Sequence, residues 1–146
     1  MTSTVHTLSR ADVSLDLAHR ILAGVRAEAE VRGAAMGAAV VDAGGNLVAA
    51  LRMDGAQLVA LPLATDKAYT AVALGAPTET WAESTAPGGG DWGMSTSLGG
   101  RLVVFAGGLP IRVGGALLGG VGVSGAAAAV DRACAAAGLV AAGLEG

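Results

Sequence analysis

In this 146-residue chain, the polar residues whose type and spacing can carry chemistry fall into two short runs, Arg52-Met-Asp54 and Asp66-Lys67-Ala-Tyr69. Lys67 interrupts a helical segment that is otherwise apolar. There it is either a salt-bridged or snorkelling side chain with its stem on apolar surface, or a cation poised over a pocket. Burial disfavours the charged amine, so a partly buried Lys67 can work as a base or, while protonated, as an anion hook. Asp54 and Asp66 are its expected partners. With Tyr69 they complete a set of groups able to give and take protons, and Arg52 adds a second cation for ligand binding.

Residues 75–100 are rich in Pro, Thr, Ser and Gly and carry both tryptophans, Trp81 and Trp92, together with Glu79, Glu83, Asp91 and Met94. A stretch this long with little regular structure is usually functional or flexible, and as a loop on a rigid scaffold it is expected to cover the site like a lid and carry specificity. Two distant histidines, His6 and His19, and one cysteine, Cys134, do not make a spaced metal set, so no metal site is expected. No Ser-His-Asp order is recognisable, and Ser124 is read as a helix cap. Gly120-Val-Gly-Val-Ser-Gly125 matches the dinucleotide fingerprint G-x-G-x-x-G. The 21 residues after Gly125 are too few for a crossover helix, a return strand and a ribose-binding acid. Its glycines are therefore read as close strand-to-helix packing, with a helix N-terminus that can attract an anion.

The composition bounds the partners. Hydrophobic residues make up 53% of the chain and charged ones only 14%, against roughly 25% in ordinary soluble domains. A lone subunit of this kind leaves much small aliphatic surface uncovered, so buried interfaces between copies are expected. A net charge of −3 with scattered basic residues excludes a nucleic-acid partner. The 18 uncharged residues from Val113 to Val130 reach the lower edge of a membrane span, but six glycines mark them as a hairpin running into a helix, so no membrane partner is expected. The opening MTSTVHTLSR lacks a signal-peptide pattern, which points to the cytoplasm.

Periodicity and turn residues give the elements. A helix is expected over 9–32, opened by a Ser9–Asp12 capping box. Strands follow at 36–42 and 47–53 around a glycine-rich hairpin, then a helix over 58–74 with Pro62 near its first turn. Three more strands, 101–105, 109–113 and 116–123, precede a final helix capped by Ser124 and ending near 142. The whole chain, 1–146, reads as one α+β domain, a five-stranded antiparallel sheet with helices packed on it.

Several runs in order carry a resemblance: Val41-Asp-Ala-Gly-Gly-Asn-Leu-Val48 with Arg52-Met-Asp-Gly55, Asp66-Lys-Ala-Tyr-Thr-Ala71, Gly107-Gly-Leu-Pro-Ile111, and Gly119-Gly-Val-Gly-Val-Ser-Gly125 with Asp131. Spanning nearly the whole chain, they resemble the GlcG/HbpS family, also called the haem-degrading or DUF336 domain. The resemblance implies a profilin-like sheet-and-helix fold and homo-oligomers from dimers to octamers. It makes haem the leading small-molecule ligand. Candidate axial donors are His6, His19, Met36, Met53, Tyr69, Met94 and Cys134, with no single one selected. Arg52, Lys67, Trp81, Trp92, Met94 and His19 are the expected ligand-binding residues. The alternative is a cofactor-independent enzyme, an isomerase, cyclase or hydro-lyase acting on a small organic molecule, with Lys67, Asp54, Asp66 and Tyr69 as its acid and base groups. A structural partner for another enzyme is the third reading.

Overall fold

The computed structural model describes residues 5–146. Three helices, α1 (Leu15–Val31), α2 (Ala60–Leu74) and α3 (Ala128–Ala141), enclose a sheet of β1 (Gly37–Asp42), β2 (Leu47–Arg52), β3 (Gly108–Val113) and β4 (Ala116–Ser124). The strands lie in the order β2-β1-β4-β3, and every neighbouring pair is antiparallel. The α+β class therefore holds, but the sheet has four strands rather than five.

The missing strand is 101–105. Its apolar residues still go inward, since Leu102 and Val103 are buried, but its backbone is tied by hydroxyls instead of a ladder. The Val103 N–H donates to Thr70 Oγ1 at 3.0 Å, and Thr78 Oγ1 donates to the Phe105 carbonyl at 2.6 Å. Apolar alternation reports burial, and burial under side-chain tethers looks the same in sequence as burial in a sheet.

Two helix starts also differ from expectation. In α1 the cap is Ser14, whose Oγ accepts the Leu17 N–H at 3.1 Å. Asp12 is instead drawn to the β1–β2 turn, where its Oδ1 accepts the N–H of Ala43 at 2.9 Å as well as that of Val13. Ser124 is the last residue of β4 and does not cap α3. Asp131 does part of that work from inside the first turn, its Oδ1 accepting the Ala126 N–H at 2.9 Å.

The two sheet faces are paved differently. Val40, Val121, Val123 and Ile111 point into the main core with Ile21 and Val25 of α1 and Leu139 of α3. The other face meets α2 through glycine and alanine. A Cβ built on Gly120 or Gly122 would overlap the carbonyl oxygens of Ala68 and Ala64, so only glycine lets the α2 backbone lie this close to β4. The fingerprint-like run Gly120–Gly125 is thus a packing device. The 18-residue uncharged stretch divides between the β3–β4 hairpin and the start of α3, and among the described residues no helix is long and apolar enough to cross a membrane.

Candidate functional site

The close seating of α2 brings one charged side chain inside. Lys67 is 0% exposed. Its Nζ donates to the Val123 carbonyl at 3.0 Å and to Asp131 Oδ2 at 2.9 Å, and stands 5.0 Å from the centre of the Phe105 ring. The pair links α2 on one side of the sheet to α3 on the other. Asp131 is nearly as dry, with its side chain 3% exposed, and its other oxygen holds the Ala126 N–H. Burial pulls the Lys67 ammonium below its ordinary pKa, against the opposing pull of the Asp131 hydrogen bond and charge.

This corrects the expected pairing. The partner of Lys67 is Asp131, not Asp54 or Asp66. Asp66, the adjacent residue on α2, faces solvent and meets Arg101 at 3.5 Å, while the Arg101 guanidinium lies 3.5 Å from the centre of the Tyr69 ring. Asp66 and Tyr69 are therefore gathered by Arg101, on a half-exposed surface. Arg52 and Asp54 meet elsewhere, in a cleft of about 330 Å³ between α1 and the end of β2, with Arg26, Glu30, Leu51 and Met53. The four residues expected to share proton transfer thus occupy three separate places.

The 75–100 stretch is built from turns and short 3₁₀ segments at Thr78–Trp81 and Met94–Gly100. Trp92 is exposed, Met94 half-buried, and Trp81 half-buried with its indole N–H lacking an acceptor among the described residues. Glu79 binds Arg132 of α3 through one oxygen, while its other oxygen has no donor among the described residues. A second cleft of about 670 Å³ runs between β3 and α3, with Arg112 and Arg132 above Leu109, Pro110 and Leu139.

The donors considered for haem iron separate sharply by environment. Met36 and Cys134 are fully buried, and burial raises the thiol's pKa. Met53 Sδ accepts the Met36 N–H at 3.4 Å, and Tyr69 lies under Arg101. His6, His19 and the half-buried Met94 remain accessible, and of these only His19 stands on a helix of more than two turns. Among the described residues, no three His, Cys, Asp or Glu side chains are grouped to hold a metal ion.

Sequence reasoning missed Asp131 as a partner and Phe105 and Arg101 altogether. The available signal for Asp131 was an acid placed in the first turn of an alanine-rich helix. Nothing local marks Phe105.

Comparison with known proteins agrees with this architecture. The profile of the family described as "Haem degrading protein HbpS-like" matches residues 13–140. An uncharacterised 15.0 kDa protein from the dhaT-dhaS intergenic region of Citrobacter freundii is 34% identical over 122 residues, 84% of this chain and 86% of that protein. Among solved structures, the Klebsiella pneumoniae protein ORFY, assigned to DUF336, superposes with a TM-score of 0.93 at 27% identity, covering 97% of this chain and 98% of that one. A complex of PduOC with haem superposes with a TM-score of 0.87 at 30% identity, covering 90% and 95% of the two chains.

Proposed function

The chain belongs to the haem-degrading HbpS-like family, and on that premise we propose that it is a homo-oligomeric subunit that binds haem on the outward face of α1, with His19 as the residue that would hold its iron. The observation that carries this reading is a stripe at i, i+4 spacing, Leu15, His19, Ala23 and Ala27, all exposed. Leu15 is 54% exposed one turn before His19. The stripe is flanked by the ion pairs Asp16–Arg20 and Arg26–Glu30, so it offers one imidazole on an apolar strip between charged borders. A flat macrocycle with charged edges matches that pattern. Haem, when bound, would supply an iron that the His19 imidazole would hold.

An open stripe covers only one face of such a ligand. A second copy of the chain would supply the other wall, consistent with the low charge content and with exposed Leu8, Val31, Leu47 and Leu58. The likeness to the PduOC complex with haem supports the ligand.

Hemin titration of the purified protein tests the reading. A Soret shift should saturate near one haem per subunit or per pair of subunits, and His19→Ala should abolish the shift while leaving the fold intact by circular dichroism. A flat titration of the unaltered protein removes haem. A shift unchanged in His19→Ala removes His19 and the α1 face.

A further inference from the structure

The larger of the two clefts, about 670 Å³ between β3 and α3, has a size typical of small-molecule sites and an apolar floor. We propose that it binds an organic monocarboxylate, a molecule with one carboxylate on an aliphatic or aromatic body, and that Arg112 holds the carboxylate. The cleft shares no residue with the α1 stripe, so this site stands or falls separately from haem binding.

The lining is built for an apolar body. Leu109 and Leu139 are buried side chains that still reach the cleft, and Pro77, Pro110 and Leu144 are half-buried around them. Because β3 is an edge strand, the first rival occupant is a peptide adding a further strand. The edge is closed to it. The Val123 N–H donates to the Gly107 carbonyl at 2.9 Å, and ladder bonds of an antiparallel pair fall at alternate residues. Pro110, paired with Gly120, therefore stands where an N–H would point outward, and proline has none to give.

Arg112 differs from the other arginines of known pairing. Arg20, Arg26, Arg32, Arg101 and Arg132 each meet a carboxylate. Among the described residues Arg112 has no such partner. Its Nη2 donates to the Gly75 carbonyl at 2.9 Å and its Nη1 to the Gly115 carbonyl at 3.3 Å. Gly75 is the C-cap of α2, where the helix dipole favours a cation. Those two carbonyls orient the guanidinium but leave its charge without a counter-ion. With five N–H donors in its fork, it keeps donors for a ligand. Little side-chain freedom remains to be lost on binding, and a planar fork matches the two oxygens of a carboxylate.

The second cation of the cleft sets the number of acid groups. Arg132 already holds Glu79, so it offers no uncompensated charge. Glu145, exposed on the lining, repels a further anion. One carboxylate is therefore favoured over two.

Octanoate and octanamide, which share a chain and differ in charge, provide the test. Each is titrated into the full-length chain at low salt and followed by NMR of the backbone amides. Octanoate should saturate, shift the amides of Leu109 and Leu139, and bind at least about tenfold more tightly than octanamide, the contribution of a hydrogen bond to a charged group. Octanedioate should bind no better than octanoate. Arg112→Met should reduce octanoate to the octanamide level and leave octanamide unchanged, and Glu145→Gln should tighten octanoate. The proposal is overturned if octanoate does not saturate at millimolar concentrations. Equal binding of octanoate and octanamide by the unaltered protein overturns it too, and that comparison requires no variant to fold. A second copy seated in the cleft is the remaining rival: neither probe would bind, and Val113→Asp, at an exposed position of the lining, would lower the mass found in sedimentation. That result also overturns the proposal.

Discussion

Asp66 and Lys67 are neighbours in the chain, and each has an ion-pair partner, yet one pair is wet and the other dry. The side chains of Asp66 and Arg101 are 38% and 39% exposed, whereas those of Lys67 and Asp131 are 0% and 3% exposed. Adjacent positions on a helix point about 100° apart, and on α2 that angle separates solvent from the glycine-paved face of the sheet. The two bonds look alike as distances between charges. They differ in what surrounds them, and that sets what each contributes: an exposed pair gains little because water already solvates its members, while a buried pair is costly to separate.

Removing one member of each pair should expose the difference most strongly. Asp131→Ala leaves a buried ammonium without its counter-charge and frees the Ala126 N–H, so a loss of roughly 3–5 kcal/mol in chemical denaturation is expected. The double replacement Lys67→Met/Asp131→Leu removes both charges and should recover most of that loss. If Asp131→Ala costs less than about 1 kcal/mol, the Lys67 corner is wetter than its geometry indicates and the contrast with Asp66 collapses.

Alkaline pH sharpens the same contrast. Burial lowers the folded-state pKa of Lys67 below the ordinary 10.5. Between those two values the unfolded chain binds more protons than the folded one, so stability should rise with pH through that window. Below it the penalty for the buried charge is fully present, and above 10.5 it is gone. The slope cannot exceed about 1.4 kcal/mol per pH unit for one group. Subtracting the pH profile of Lys67→Met/Asp131→Leu isolates the pair, and a difference that falls with rising pH in this window contradicts the assignment of burial as the dominant influence.

How much of this was legible in the sequence follows from which forces act locally. The three helices and four of the strands announce themselves through period, glycines and turns, because those signals sit within a few residues of what they control. The 101–105 segment misled because its ties, to Thr70 and Thr78, span about thirty residues and leave no mark on its own pattern. Lys67 stood out as a charge in an apolar helix. Its partner did not, because Asp131 lies 64 residues away while Asp66 is adjacent, and proximity in sequence is a poor guide where a helix turns neighbours apart. The glycine run after Gly119 was rightly read as packing, since the chain beyond it is too short for a nucleotide fold.

The smallest effect is expected at the exposed pair, and its salt dependence is the informative part. Asp66→Asn keeps the size of the side chain and removes its charge, so it should cost about 0.2–1 kcal/mol at low ionic strength. At about 1 M salt, where the screening length falls to ~3 Å, the cost should nearly vanish. Arg101→Lys behaves differently, because it also removes a planar group resting 3.5 Å from the centre of the Tyr69 ring. Stacking of a guanidinium on an aromatic face depends less on screening than a solvent-exposed charge pair does, and a lysine does not reproduce it. Its cost should therefore persist at high salt, when that of Asp66→Asn has gone. Parallel loss of both effects on adding salt would mean that Arg101 is held by charge alone, and the surface half of the comparison would then rest on Asp66 rather than on Tyr69.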